Sequence, residues 1–136
     1  MKYLLDVNAL VALGFFQHEF HQRVARWVHN LTAKDAPQFL TCAITELGFV
    51  RVLAQASQYG VSVSDARALL LRLKSETSVK FTFILDDQDI SQLPSWVKNA
   101  RQTTDGHLAA LAKANGAVLA TLDAKIPRAF LIPPGK

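Results

Sequence analysis

The stretch Thr103 to Lys125 reads TTDGHLAALAKANGAVLATLDAK, and its reading decides the fold. Its opening, Thr103-Thr104-Asp105, offers hydroxyl and carboxylate groups to the free amides of a helix N-terminus. Leu108, Leu111 and Ala112 then recur at helical spacing. Asn115-Gly116 supplies the tolerance of a left-handed backbone that ends a helix. Val118 to Leu122 follows as a short apolar run, which suits a strand buried on both faces. Two acids flank this unit: Asp105 opens the helix and Asp123 sits just past the strand.

The rest of the chain repeats the alternation. Tyr3-Leu4-Leu5 predicts a first strand ending at Asp6, after which Asn8 caps a helix over Ala9 to Leu13. His18 to Thr32 predicts a second helix, with Phe20, Val24, Trp27, Val28 and Leu31 along one face. Phe39 to Cys42 is a second strand. A third helix opens near Thr45, carries Glu46 in its first turn, and shows Leu47, Val50, Leu53 and Ala54 as its apolar face. Ser64 caps a fourth helix bearing Ala68, Leu69, Leu71 and Leu73. Lys80 to Leu85 is a third strand, and Phe130 to Ile132 is a last edge strand. Strands alternating with helices predict an α/β sandwich around a mainly parallel sheet of four to five strands.

Bulk properties narrow the function. A chain of 136 residues, half of them hydrophobic and 19% charged, predicts a single folded domain over 1–136. The net charge of +4 favours an anionic partner such as nucleic acid, though only weakly. Cys42 is the only cysteine, which excludes an internal disulfide and any cysteine-based zinc site. Asp6 and Asn8 interrupt the N-terminal apolar stretch, so it reads neither as a signal peptide nor as a membrane span. The expectation is a cytoplasmic protein. No G-x-G-x-x-G or G-x-x-x-x-G-K loop is present, which argues against a nucleotide-binding enzyme.

Open parallel sheets place their sites at the carboxyl ends of strands. Asp6 and Asp123 occupy such ends, and Glu46 and Asp105 lie in first turns of helices that start on that rim. Each acid alone has a bland reading as a cap, a dipole partner or a turn residue. Together, four packed carboxylates would repel one another, and a divalent cation removes that conflict. Oxygen ligands without sulfur suit Mg²⁺ or Mn²⁺. Such a metal generates hydroxide from water and neutralises a scissile phosphate, so the expected chemistry is phosphodiester hydrolysis.

The segments LLDVNALVAL, TELGFVRVL and TTDGHLAALAKANGAVLATLD resemble the PIN-domain nucleases, especially the VapC-type toxins of bacterial toxin–antitoxin pairs. The resemblance spans nearly the whole chain. It implies a PIN-like three-layer α/β/α sandwich and a metal-dependent endoribonuclease acting on RNA. It also implies an antitoxin protein as partner. Carried over, the catalytic and metal-ligating acids fall on Asp6, Glu46, Asp105 and Asp123, with Asn8 and Thr121 in support. The chain departs from the family pattern at Lys125, where many relatives carry a further acid; this puts a second metal in doubt and makes Lys125 a candidate RNA contact, as is Arg51.

Other features read more plainly. His18 and His21 look like a solvated helix face, His107 like a rim residue, and Asp86-Asp87 like a solvated turn. The apolar helices around Phe15-Phe16, Trp27 and Val50 to Leu53 offer a groove for a partner helix and a homodimer face. The rival readings are an RNA-processing or DNA-directed nuclease on the same fold, and a non-catalytic RNA- or protein-binding module. Retention of all four acids argues against the last.

Overall fold

Five apolar segments too short to stand alone pair into one sheet. The computed structural model describes residues 1–135. Its strands are β1 (Lys2–Leu5), β2 (Gln38–Thr41), β3 (Phe81–Phe83), β4 (Val118–Thr121) and β5 (Phe130–Leu131). They lie in the order β3-β2-β1-β4-β5, and every neighbouring pair is parallel. Parallel neighbours need crossover connections, and five helices supply most of them: α1 (Val7–Gly14), α2 (His21–Lys34), α3 (Ala43–Gln55), α4 (Val63–Lys74) and α5 (Thr103–Ala114).

Alternation along each strand divides the interior in two. Tyr3, Leu5, Phe39 and Ala120 face a core built with α1, α2, α3 and α4, where Leu10, Val24, Trp27, Phe49 and Leu53 meet. Leu4, Leu40 and Leu119 face the opposite way, onto Leu108, Leu111 and Ala112 of α5. The result is the expected three-layer α/β/α sandwich. The aromatic rings of Tyr3, Trp27 and Phe130 pack edge to face or stacked at 5.1 to 5.4 Å and tie α2 to the sheet. Where α1 meets α3, Gly48 leaves room for Val7; a β-carbon at 48 would stand 2.5 Å from Val7 Cγ2.

Several boundaries differ from the sequence expectation. Asp6, not Asn8, caps α1, accepting a hydrogen bond from the Ala9 amide at 2.8 Å. Cys42 leaves β2 and becomes the residue before α3, with Thr45 Oγ1 receiving its amide at 3.0 Å. Helix α4 starts at Val63, because Ser62 and not Ser64 accepts from the Asp65 amide. Helix α5 has no side-chain cap; the Thr103 hydroxyl instead donates to the Ala100 carbonyl in the preceding 3-10 turn. Gly116 does take the left-handed conformation, at φ +67°.

Two helix faces are also rotated from expectation. Leu47 of α3 is 67% exposed and Phe49 takes the core position. Helix α4 buries Ala66 and Leu70, with Ala68 and Leu71 outside. Of the residues around which the sequence predicts a partner groove, Phe15 and Leu53 are buried in the core, Trp27 keeps an edge on a surface pocket beside Arg26 and Pro133, and Phe16 is exposed. Among the described residues no helix is long and apolar enough to cross a membrane.

Candidate active site

Strand order reverses at the β1–β4 pair: β2 flanks β1 on one side, and β5 flanks β4 on the other. Connections leave such a pair in opposite directions, so a crevice opens outside its carboxyl ends. Asp6 directly follows β1, Thr121 closes β4, and Asp123 comes just after it.

Asp6 is buried at 6% exposure, and both of its oxygens are held. Oδ1 accepts from the Ala9 amide, and Oδ2 accepts from the Thr121 hydroxyl at 2.5 Å. Thr121 Oγ1 in turn accepts the Asp123 amide at 3.0 Å. One threonine thereby fixes two acids from strands far apart in sequence. Burial pushes the Asp6 carboxyl up to about 6; the bonds from Thr121 and Ala9 pull it down, and the charges of Asp105 and Asp123 push it up again. Asp105 in the first turn of α5 is also raised, by burial first and then by Asp123. Coulombic influence falls with separation, so Asp105 stands within electrostatic range of Asp6 and Asp123, which line one cleft.

Glu46 stands on the same rim but is engaged elsewhere. Its Oε2 accepts from the Thr41 hydroxyl at 2.6 Å and from Lys74 Nζ at 2.5 Å. Thr41 closes β2 next to β1, and Lys74 sits in the last turn of α4. The Lys74 ammonium also lies 5.5 Å from the Phe83 ring centre. The charges that act on Asp6 and Asp105 do not include Glu46. Among the described residues, no three carboxylate, imidazole or thiol groups converge tightly enough to ligate one ion. Three of the four predicted acids are thus brought into mutual electrostatic range, and the fourth is held by a lysine.

The remaining candidates divide. Asn8 lines a cleft with Asp6, Leu122 and Asp123, facing His18, Glu19 and Phe20. The Lys125 amide donates to Asp123 Oδ1 at 2.9 Å, and its side chain is exposed. Arg51 is exposed on α3. Three features were missed. Lys74 looked like one of several scattered bases. His18 and Glu19 are not on a helix, because α2 begins at His21. Asp86 is not a free turn residue: His107 Nε2 meets its Oδ2 at 2.5 Å and ties the segment after β3 to α5. Burial raises the Asp86 carboxyl, but hydrogen bonds from His107 and Gln88 outweigh it and hold it below its ordinary value.

The acids in mutual range offer carboxylate oxygen, the chemistry that hard divalent cations take. Comparison with known proteins bears on what such a crevice does. A family model described as the PIN domain matches residues 3–130. The chain is 37% identical over 128 residues to ribonuclease VapC38 of Mycobacterium tuberculosis, covering 90% of this chain and 86% of that protein. It is 35% identical over 132 residues to ribonuclease VapC44 of the same species, covering 93% and 89%. Among solved structures it is similar to VapC20 of Mycobacterium tuberculosis, described as a sarcin–ricin loop cleaving toxin. That match has a TM-score of 0.64 at 14% identity and covers 98% of this chain and 99% of that one. It is also similar to VapBC2 from Rickettsia felis, solved bound to a DNA fragment from their promoter, with a TM-score of 0.62 at 16% identity over 96% and 97% of the two chains. At those identities the two structures speak for the fold.

Proposed function

The chain belongs to the PIN-domain family, and from that premise we propose that it is a VapC-type toxin, a metal-dependent endoribonuclease that hydrolyses RNA phosphodiester bonds. The observation that carries the reading is the Thr121 hydroxyl that ties the Asp6 carboxylate to the Asp123 backbone at the carboxyl ends of β1 and β4, with Asp105 in electrostatic range. Carboxylates gathered against their own repulsion are what a cation site requires. The ribonuclease names of relatives that cover most of the chain support RNA as substrate. The same reading carries an antitoxin protein as partner, a homodimer as assembly and the cytoplasm as location.

In this proposal Asp6, Asp105 and Asp123 would hold Mg²⁺ or Mn²⁺, and Glu46 would join them only on release from Lys74. The metal supplies an activated water and neutralises charge on the phosphate. The chain's own groups do the rest. Thr121 orients the Asp6 carboxylate and the Asp123 backbone through the same oxygen. In the metal-free protein Thr41 and Lys74 hold Glu46 away from the other acids and offset its charge. Asn8 presents an amide at the cleft mouth, where it orients substrate or solvent. Lys125 and Arg51 are exposed cations available to RNA phosphates.

Incubation of the purified protein with total RNA, in Mg²⁺, in Mn²⁺ and in EDTA, tests the reading. Discrete products are expected with either metal, none with EDTA, and none from Asp6→Asn. Absence of metal-dependent cleavage of any RNA overturns it, and cleavage confined to DNA moves the chain to the DNA-directed rival.

A further inference from the structure

The cleft beside Asp6 and Asp123 has a second wall that the hydrolytic chemistry does not use: His18, Glu19 and Phe20. We propose that this wall is a nucleobase pocket, in which an unpaired RNA base next to the scissile phosphate stacks on Phe20 and accepts a hydrogen bond from His18 Nε2. The inference deepens the ribonuclease reading and rests on it.

Four observations support it. First, the wall is held in place. The His18 amide donates to the Phe15 carbonyl at 3.0 Å, the His21 amide to the His18 carbonyl at 3.0 Å, and the His21 ring bonds the Ala12 carbonyl at 2.7 Å. Second, the His18 ring has a defined polarity. Its Nδ1 accepts the Phe20 amide at 3.0 Å, so the neutral ring carries its proton on Nε2 and is a donor there. Third, Phe20 is an aromatic ring left 39% exposed at the edge of a polar site. It is braced from one side by the Arg23 guanidinium, 5.9 Å from the ring centre, which is itself bonded through Nε and Nη2 to the Ile132 carbonyl. A braced, half-open ring is a stacking platform.

Fourth, charge selects the occupant. The residues lining the cleft include Asp6, Glu19 and Asp123 and no lysine or arginine. A phosphate on the His18 side would meet the charge of Glu19, and the nearby Arg23 guanidinium is already engaged by Phe20 and the Ile132 carbonyl. A base is uncharged, and the wall offers it a donor at His18, an acceptor at Glu19 and both at Asn8. Such edges are accessible in single-stranded segments, not in an A-form duplex.

The test is binding of a fluorescein-labelled 20-nucleotide single-stranded RNA of mixed sequence, measured by anisotropy in EDTA so that nothing is cleaved. A 20-nucleotide abasic sugar-phosphate strand serves as control. Phe20→Leu keeps apolar bulk and removes the aromatic face; Phe20→Trp restores it. His18→Asn keeps an acceptor for the Phe20 amide and removes the Nε2 donor. Phe20→Leu is expected to weaken RNA binding roughly tenfold and Phe20→Trp to leave it intact. His18→Asn is expected to weaken it several-fold, and none of the variants to alter binding of the abasic strand. Equal RNA affinity for Phe20→Leu and wild type, or an equal loss on the abasic strand, overturns the proposal. Wild-type protein that binds RNA in this base-dependent way but never cleaves it with Mg²⁺ overturns the ribonuclease reading and leaves the base pocket standing.

Discussion

Replacing Asp6 by Asn should make the metal-free protein more stable at neutral pH while abolishing cleavage. The Asp6 carboxyl stands at about 6 in the fold, against 3.8 for the unperturbed group, chiefly because it is buried. A raised carboxyl binds its proton more tightly in the folded than in the unfolded chain. Between about pH 4 and pH 6 the native state therefore holds more protons, and stability falls as pH rises through that window. Above it, the ionised group costs the fold about 3 kcal/mol, from 1.36 kcal/mol per pH unit over roughly two units. Asparagine removes the charge and keeps the geometry. Its Oδ1 can still receive the Ala9 amide, and its Nδ2 can donate to Thr121 Oγ1 in place of the bond that Asp6 now accepts. Urea denaturation in EDTA from pH 4 to pH 8 should show Asp6→Asn about 3 kcal/mol more stable at pH 7.5, with the gap closing toward pH 4. Added Mg²⁺ should stabilise the wild type by mass action and spare the variant, narrowing the gap again. A variant no more stable than wild type at pH 7.5, or a gap that ignores pH, refutes the reasoning.

Three further outcomes are expected. Thr121→Val deletes the hydroxyl that lowers Asp6, a charge-assisted bond of about 1.5–3 kcal/mol. The upper edge of the pH window of stability loss in EDTA should move upward while its lower edge stays near pH 4, and cleavage at pH 7 should fall at least tenfold. Lys74→Met removes the partner of Glu46 from a pair whose side chains are 25% and 23% exposed. The loss should be about 1 kcal/mol by urea denaturation at low salt, and smaller at 1 M salt. Gly106→Ala, directly after Asp105, puts a β-carbon 2.3 Å from Val97 Cγ2. Overpacking of this kind costs about 1–3 kcal/mol, and the displaced helix start should weaken Mg²⁺ binding in calorimetry, whereas Gly116→Ala, in open space at φ +67°, should lose stability without touching Mg²⁺ binding.

Much of this architecture could be read from the chain because its signals are local. Short apolar runs marked all five strands, and Gly116 marked the stop of α5. The positions of the acids could be read because each sits at a strand end or a helix start on one rim of a parallel sheet, although Glu46 turns out to be held by Lys74. What escaped depends on contacts between distant segments. The helical period of α3 admits either Leu47 or Phe49 as the inward residue, and the close fit of Gly48 on Val7 sets the rotation. Lys74 meets Glu46 across 28 residues, so no spacing rule announces it. The aromatic and polar residues at 18–20 continue the pattern of α2, yet they form the loop before it, because their own backbone bonds close a turn first. Asp6 was read both as a ligand and as a cap; it caps α1, and its other oxygen is held by Thr121.

The position of β1 has a consequence for a nuclease made on ribosomes. Its neighbour on one side is β4, and the bond from Thr121 to Asp6 joins residues 115 positions apart. A growing polypeptide that has released only its first strands holds Asp6 alone of the proposed site and lacks Asp105, Thr121 and Asp123. The proposed site therefore cannot close until the segment carrying Thr121 and Asp123 has emerged and paired beside β1.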